Sequence, residues 1–342
     1  MTSVVRIIQE TVGDTPDERK IGVLLDEMKD KDAESASCSV FGLDVDPGFH
    51  PKIEDFFPRT GKKNKEGKET MKPLKVLQTV TTYYGREFHV KPLYWEMFCP
   101  DFTIAVFGKR RSGKTFWIQS LCSFLRPYFP EVVCFTRTKC SGEWLKIIPE
   151  KCIIEGLNDA VLESLYDRQR TYKTKQSQGK KTGNINLLVI MDDCLSSGLR
   201  NNKLINEVFY EGRHLNICFI VTSQDVKGIH PAATSNSDVA VCFNVRSERD
   251  KEALRTKYAD VFKNNDDFGD LLEKVTALQY HCVAFLQAYP HLPVEETVFM
   301  GRAEKPEPFV MGSRKLWYGA ERQLIDLGFY HLLNKPDWGI YE

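Results

Sequence analysis

Eight consecutive residues, Gly108 to Thr115, have the types and the spacing that bind a chain of phosphates. They read GKRRSGKT, with four residues between two glycines and a lysine and a threonine at the end. Glycines let the backbone wrap around an anion, which then meets amide N–H groups and a helix N-terminus. In this pattern, the P-loop, the lysine contacts the β- and γ-phosphates and the hydroxyl holds Mg²⁺. We therefore predict an ATP site with Lys114 on the phosphates and Thr115 on the metal ion.

The three basic side chains inside the loop, Lys109, Arg110 and Arg111, are not expected to be catalytic. A P-loop holds phosphate mainly through its backbone, so these side chains are expected in solvent. The predicted nucleotide contacts are the loop as a whole: Gly108, Lys109, Arg110, Arg111, Ser112, Gly113, Lys114 and Thr115.

A second motif, which ends in two acidic residues, follows further along the chain. Leu187 to Asp193 reads LLVIMDD, an apolar run that ends in two acids. A strand buried on both faces is apolar throughout, and it delivers such acids at its carboxyl edge, beside the P-loop. We expect Asp192 to bind Mg²⁺, directly or through water. Asp193 is then placed to orient or deprotonate the attacking water.

A glutamine ends the next apolar run, LNICFIVTSQ. Ras-type enzymes use a glutamine to position water, and a strand-end glutamine beside the P-loop strand can contact the γ-phosphate. We predict this role for Gln224. It requires the strand of Gln224 to lie between the P-loop strand and the Asp192 strand. That order defines P-loop ATPases with an additional central strand, and it disfavours a nucleoside kinase or a small GTPase.

Apolar runs alternate with helical segments through the middle of the chain. The predicted strands are 76–84, 88–90, 103–107, 131–135, 152–154, 185–193, 215–224, 238–245 and 281–286, and the predicted helices are 116–125, 159–172, 204–212 and 247–258. Near-continuous apolar strands between helices are typical of a parallel sheet covered on both faces. The predicted fold class is therefore α/β, a P-loop ATPase core with a mainly parallel central sheet of the additional-strand type.

Composition divides the chain into three parts. Residues 1–90 form an N-terminal extension with a lysine-rich linker at 59–75, 91–290 form the ATPase core, and 291–342 form an aromatic-rich C-terminal extension. The linker is either flexible and solvated or an arm that contacts phosphate. The C-terminal extension either packs on the core or docks a partner.

Bulk properties exclude some classes of protein. The 342 residues carry 47 basic and 47 acidic side chains, so a nucleic acid must be bound by local basic patches. The ten cysteines include no C-x-x-C pair and several lie in apolar runs, which favours a reducing compartment over a disulfide scaffold or a zinc ribbon. We expect neither a secretory signal nor a membrane span.

A basic segment, 173–184, reads KTKQSQGKKTGN and is predicted to be a loop. Its lysines are either solvated or contact a DNA backbone, since phosphate contacts do not depend on base sequence. They are Lys173, Lys175, Lys180 and Lys181.

Four stretches in order, GKRRSGKT, LLVIMDD, EGRHLNICFIVTSQ and SNSD, resemble a known family. They look like the genome-packaging ATPases of large nucleocytoplasmic DNA viruses, the poxvirus-type branch of the FtsK/HerA motor superfamily. The resemblance covers roughly residues 95–290. It implies a RecA-like core, a ring of subunits and ATP-driven translocation of double-stranded DNA into a capsid, at the viral assembly site in the host cytoplasm or in the virion.

The resemblance also implies site residues. It assigns Lys114, Thr115, Asp192, Asp193 and Gln224 to the roles given above, although this superfamily more commonly has Glu where this chain has Asp193. An arginine finger from a neighbouring subunit is expected, with Arg213 as first choice and Arg246 as alternative. In a ring, the basic side chains of the P-loop can also face a neighbour. A capsid or virion membrane protein is a further possible partner.

Two other functions stay open at this point. The chain is alternatively an ATP-binding switch or scaffold of virion assembly with little turnover, for which the aromatic C-terminal extension is the docking surface. It is alternatively another FtsK/HerA-type DNA pump or a helicase.

Overall fold

A computed structural model of the protein describes thirteen stretches of the chain. They are residues 59–63, 69–71, 78–82, 84–85, 87–137, 142–180, 182–194, 202–229, 236–259, 262, 264–288, 297–329 and 332. The predictions on residues 1–58, on Lys181, on much of the 59–75 linker and on the residues after 332 lie outside the described residues.

Strands and helices alternate through the described part of the chain. The strands are β1 (Arg59–Lys63), β2 (Glu69–Met71), β3 (Gln78–Thr81), β4 (Glu87–Pro92), β5 (Thr103–Phe107), β6 (Glu131–Thr136), β7 (Ile153–Glu155), β8 (Leu187–Asp192), β9 (Ile217–Ser223), β10 (Val239–Cys242), β11 (His281–Leu286) and β12 (Val298–Arg302). The helices are α1 (Lys114–Leu125), α2 (Asp159–Ser177), α3 (Lys203–Glu211), α4 (Glu248–Tyr258), α5 (Asn265–Val275), α6 (Arg314–Trp317) and α7 (Glu321–Asp326).

Ten of these strands form one sheet in the order β3-β4-β12-β11-β10-β5-β9-β8-β6-β7, and β1 pairs with β2 apart from it. Every pairing from β10 to β7 is parallel. Antiparallel pairs occur where β11 lies between β10 and β12 and where β3 pairs with β4. The sheet is therefore mainly parallel, and β9 lies between β5 and β8 as predicted.

The centre of the sheet is apolar on both faces. All residues of β5, β8, β9 and β10 are buried, which explains their near-continuous apolar sequences. The strands also end level with one another, since Phe107 lies opposite Ser223 and Met191 lies opposite Val221. This register brings the P-loop, the two acids and Gln224 to one edge of the sheet.

Three helices begin at an asparagine cap. The side-chain oxygens of Asn158, Asn202 and Asn264 accept hydrogen bonds from the backbone N–H three residues further on, at 3.1, 3.1 and 2.7 Å. Such a bond satisfies a backbone donor that has no partner inside the helix. The caps fix the starts of α2, α3 and α5.

Helix α2 differs from its prediction. It continues to Ser177 rather than ending at residue 172, and it stops before Gly179, whose φ is +71°. Lysine, glutamine and threonine are all tolerated on an exposed helix, so polar composition did not mark its end. The predicted loop is therefore wrong in its first part: Lys173 and Lys175 lie on α2, and Lys180 lies just beyond it.

The sheet extends past both bounds of the expected core, 91–290. Strands β3 and β4 lie mostly before residue 91, and β12 pairs between β11 and β4 after residue 290. The sequence of β12 is a weak strand signal because Gly301 interrupts it. That glycine lies in close packing, since a Cβ there would lie 3.1 Å from Leu93 Cδ2 and 3.2 Å from Cys282 Sγ. Helix α5, rich in acids and with an internal glycine, was not predicted either.

The described cysteines behave as small apolar residues. All eight are buried free thiols, and burial raises the pKa of Cys282 to about 12. Cys38 and Cys140 lie outside the described residues. Within the described ranges, no helix is both long enough and apolar enough to cross a membrane.

Two neighbouring residues of α3 test how β9 is held. Phe209 is 4% exposed and its ring meets that of Phe219 on β9 edge to face, with centroids 5.1 Å apart. Phe209→Ala should lower the free energy of unfolding by about 3–5 kcal/mol, because it leaves a cavity against the sheet. Tyr210→Ala, at a position 51% exposed, should change it by less than about 0.5 kcal/mol. Urea denaturation measures both, and equal effects would contradict this packing.

Candidate active site

The P-loop is shaped by two glycines that other residues cannot replace. A Cβ on Gly108 would lie 2.8 Å from the Cβ of Phe243, and one on Gly113 would lie 2.8 Å from the Cβ of Ala303. Gly113 also has a φ of +103°, which disfavours any side chain. Helix α1 starts directly after it. The loop therefore presents its amides and the α1 N-terminus at the carboxyl edge of the sheet, where anions bind.

Lys114 lies inside the loop. Its Nζ donates hydrogen bonds to the carbonyl oxygens of Gly108 at 2.8 Å and Lys109 at 3.0 Å. Burial lowers the pKa of Lys114, while the carboxylates of Asp193 and Asp192 act in the opposite direction. The ammonium group is thus within reach of any anion that the loop binds.

Thr115 and Asp192 face each other across the site. The Thr115 Oγ1 donates to the Asp192 Oδ2 over 3.4 Å. Mg²⁺ prefers oxygen ligands and is usually held by one or two protein groups together with substrate phosphates. A hydroxyl and a carboxylate beside a P-loop fit this ion. Among the described residues, no group of three or more His, Cys, Asp or Glu side chains could hold a metal ion.

The Asp192 carboxylate is held by donors from two other elements. The Nε1 of Trp144 donates to Oδ2 and the hydroxyl of Thr222 donates to Oδ1, both at 2.9 Å. Burial raises the pKa of Asp192, and the two hydrogen bonds oppose that rise. Sequence reasoning missed Trp144 and Thr222. A threonine within the apolar run of β9 was a signal for the second, and no sequence signal linked Trp144 to this strand.

Asp193 leaves the strand in a left-handed conformation, with φ of +51°. Its backbone N–H donates to the hydroxyl of Thr222 at 2.9 Å, and its Oδ2 accepts from Gln224 Nε2 at 2.8 Å. The one hydroxyl of Thr222 therefore bonds to both acids. Non-glycine residues rarely adopt this backbone, and it turns the Asp193 carboxylate away from β8 toward the tip of β9.

The two candidate arginines lie at opposite edges of the sheet. Arg213 is in the single turn before β9, at the amino edge, and its Nε lies 3.3 Å from the Asp101 carboxylate of the same chain. Arg246 follows β10 at the carboxyl edge, where the P-loop lies. It is exposed and makes no ion pair with the part of the chain that the structure describes. Neither arginine contacts its own P-loop in a hydrogen bond.

Comparison with known proteins identifies the family of this chain. Residues 89–304 match the family model described as poxvirus A32 protein. The chain belongs to the poxvirus A32 protein family. The match covers β5 to β12 together with most of β4, so it spans both the P-loop and the two acids.

Two uncharacterized viral proteins are similar to this chain. An uncharacterized protein of Acanthamoeba polyphaga mimivirus, L437, is 26% identical over 220 residues, which is 63% of this chain and 77% of that protein. An uncharacterized protein of frog virus 3, 015R, is 26% identical over 160 residues, or 46% of this chain and 48% of that protein. The match thus spans about half of the frog virus protein.

Two solved structures have a weak overall similarity to this chain. The genome packaging NTPase B204 of Sulfolobus turreted icosahedral virus 2, in complex with ATP-γS, is 15% identical, with a TM-score of 0.42, over 60% of this chain and 98% of that one. The pCW3 conjugation coupling protein TcpA is 13% identical, with a TM-score of 0.42, over 67% of this chain and 65% of that one.

The hydroxyl of Thr222 can be tested by a pair of variants. Thr222→Val keeps the shape but removes the donor to Asp192 and the acceptor for Asp193, which should cost about 1–3 kcal/mol of unfolding free energy. Thr222→Ser keeps the hydroxyl and loses one methyl group, at about 0.8 kcal/mol. Urea denaturation should find the serine variant more stable. If packing alone mattered, the valine variant would be the more stable of the two.

Proposed function

We propose that this protein is an ATP-hydrolysing motor that moves double-stranded viral DNA into a capsid. Membership of the poxvirus A32 family supports this function. The observation that carries it is the contact between Gln224 and Asp193 beside the P-loop, at the tip of a strand inserted between β5 and β8. A protein that only binds a nucleotide needs the P-loop. It does not need a glutamine that is hydrogen-bonded to an acid where the terminal phosphate would lie.

The site residues suit hydrolysis of the γ-phosphate. Lys114 contacts the phosphates, and Asp193 holds the attacking water and takes its proton. Mg²⁺ held by Thr115 and Asp192 would neutralise part of the phosphate charge. Trp144 and Thr222 keep the Asp192 carboxylate oriented, so that little rearrangement is needed when substrate binds. ADP and inorganic phosphate are the products.

Gln224 connects this chemistry to movement. Its amide bonds to the carboxylate that would receive the proton, so protonation of Asp193 weakens that bond. The segment after Gln224 begins with Asp225, whose backbone N–H and carbonyl both bond to the Ser223 hydroxyl, at 3.1 and 2.6 Å. We infer that phosphate release alters the tip of β9 and moves the segment that follows it.

The proposed motor is a homo-oligomeric ring around duplex DNA. ATP would then bind where two subunits meet, with Arg213 or Arg246 of a neighbour stabilising the charge on the transferring phosphoryl group. A capsid or virion membrane protein is the proposed docking partner, and the viral assembly site in the host cytoplasm, or the virion, is the proposed location. The lysines on and after α2 remain candidates for the DNA backbone.

ATP turnover with and without duplex DNA tests the proposal. Duplex DNA should stimulate turnover several-fold, and Lys114→Ala should reduce it by roughly 100-fold or more, because the charge on the phosphates is lost. Ile325→Ala, at a position of α7 that is 52% exposed and has no proposed role in turnover, is the control. Tight ATP binding without turnover in either condition would indicate an assembly switch or scaffold instead, and strand displacement would indicate a helicase.

Mixing variants tests which arginine acts on a neighbouring site. Arg213→Ala should lose roughly 1000-fold in turnover if Arg213 is the finger. Mixed with Lys114→Ala subunits, which keep the arginine but lack the lysine, it should regain activity above the sum of the two separate preparations. Arg246→Ala is tested in the same way. If turnover recovers only in the mixture of Arg246→Ala with Lys114→Ala, then Arg246 is the arginine finger. Turnover equal to that of the wild type in both arginine variants would exclude both residues.

A further inference from the structure

Tyr280 places an exposed aromatic ring beside the P-loop. It directly precedes β11, which runs antiparallel to β10, so its residue lies at the same sheet edge as Gly113. Its Cδ1 lies 3.2 Å from the point that a Cβ on Gly113 would occupy. The residue is nevertheless 40% exposed. A large ring thus touches the loop with one part and meets solvent with another.

The neighbours of Tyr280 do not share this exposure. Phe243 and Ala303 also lie against the P-loop glycines, but both are buried. The backbone of Tyr280 is in the left-handed region, with φ of +67°, which is rare for an aromatic residue. Its carbonyl oxygen accepts a hydrogen bond from the Ala303 N–H at 2.8 Å. The ring is therefore held at the loop from a fixed backbone position.

The orientation of a bound nucleotide follows from the two sides of β5. Asp192 and Gln224 belong to β8 and β9, on one side of the P-loop strand, and Tyr280 lies on the β10–β11 side. The γ-phosphate must face Asp192 and Gln224 to be hydrolysed. With its phosphate chain held by the loop and by the start of α1, the nucleoside end then points away from β9, toward Tyr280.

We propose that the ring of Tyr280 is the surface on which the nucleobase of the bound nucleotide stacks. This subsite rests on the proposed ATP site, and it assigns the chemistry of the end of the ligand that the P-loop does not hold. Stacking uses the π-face that every base presents, so the ring recognises the presence of a base rather than its edge. Purine nucleoside triphosphates, with the larger faces, are the expected ligands.

Binding of ATP and of inorganic tripolyphosphate, each with Mg²⁺, separates the two ends of the ligand. Tyr280→Ala should weaken ATP binding roughly ten- to hundredfold, the range expected for one stacked base, and leave tripolyphosphate binding unchanged. Tyr280→Phe should retain wild-type affinity for ATP, because stacking needs the ring and not the hydroxyl. Leu278→Ala is the control, since Leu278 is 66% exposed in the same turn. Isothermal titration gives the affinities.

Three results would overturn the subsite. ATP affinity unchanged in Tyr280→Ala would show that the ring contacts no base, and equal weakening of ATP and tripolyphosphate would show that it only shapes the P-loop. An effect of Leu278→Ala as large as that of Tyr280→Ala would assign the loss to the turn and not to the ring. In each case, binding of tripolyphosphate by the wild-type protein shows that the phosphate site itself exists. Wild-type protein that binds neither ligand would instead overturn the ATP site itself.

Discussion

The buried carboxylate of Asp192 is the group on which the arrangement of the site depends. A charge removed from water must be compensated by hydrogen bonds, and here the two donors at 2.9 Å come from Trp144 and Thr222, on different elements. The Thr222 donor is in place only if β9 lies directly beside β8 and in this register. The insertion of β9, which brings Gln224 to Asp193, thus also supplies one of the two hydrogen bonds that stabilise the buried acid.

The P-loop strand β5 divides the site into two chemical environments. On the β8–β9 side, acids, hydroxyls and an amide surround the place of the terminal phosphate. On the β10–β12 side, Phe243, Ala303 and Tyr280 meet the glycines of the loop through carbon atoms. A nucleotide is polar at its phosphate end and aromatic at its base. The polar side chains on one side of β5 therefore suit the phosphate end of a nucleotide, and the carbon-rich surface on the other side suits its base.

The sequence predicted the parts of this fold that depend on local patterns. The P-loop, the strand that ends in Asp192 and the position of β9 follow from motif spacing and from continuous apolar runs. Trp144 escaped prediction because its contact with Asp192 joins residues 48 positions apart, and nothing in its own surroundings marks it. Strand β12 escaped prediction because its pairing is also remote, and because Gly301 weakens the local strand signal and its close neighbours, Leu93 and Cys282, are distant in sequence. The end of α2 was misjudged because exposed polar residues suit a helix and a loop equally.

The position of Arg213 limits what it can do. Strand β9 has seven residues, so its two ends lie about 20 Å apart at the usual rise per residue. Arg213 precedes the first of them and Gln224 follows the last, which places the guanidinium far from the phosphates of its own chain. Its contact with Asp101 keeps it at the amino edge, and more than half of its side chain remains exposed there. A catalytic role for Arg213 therefore requires a second subunit. Arg246 lies at the same sheet edge as the P-loop, so its position does not demand one.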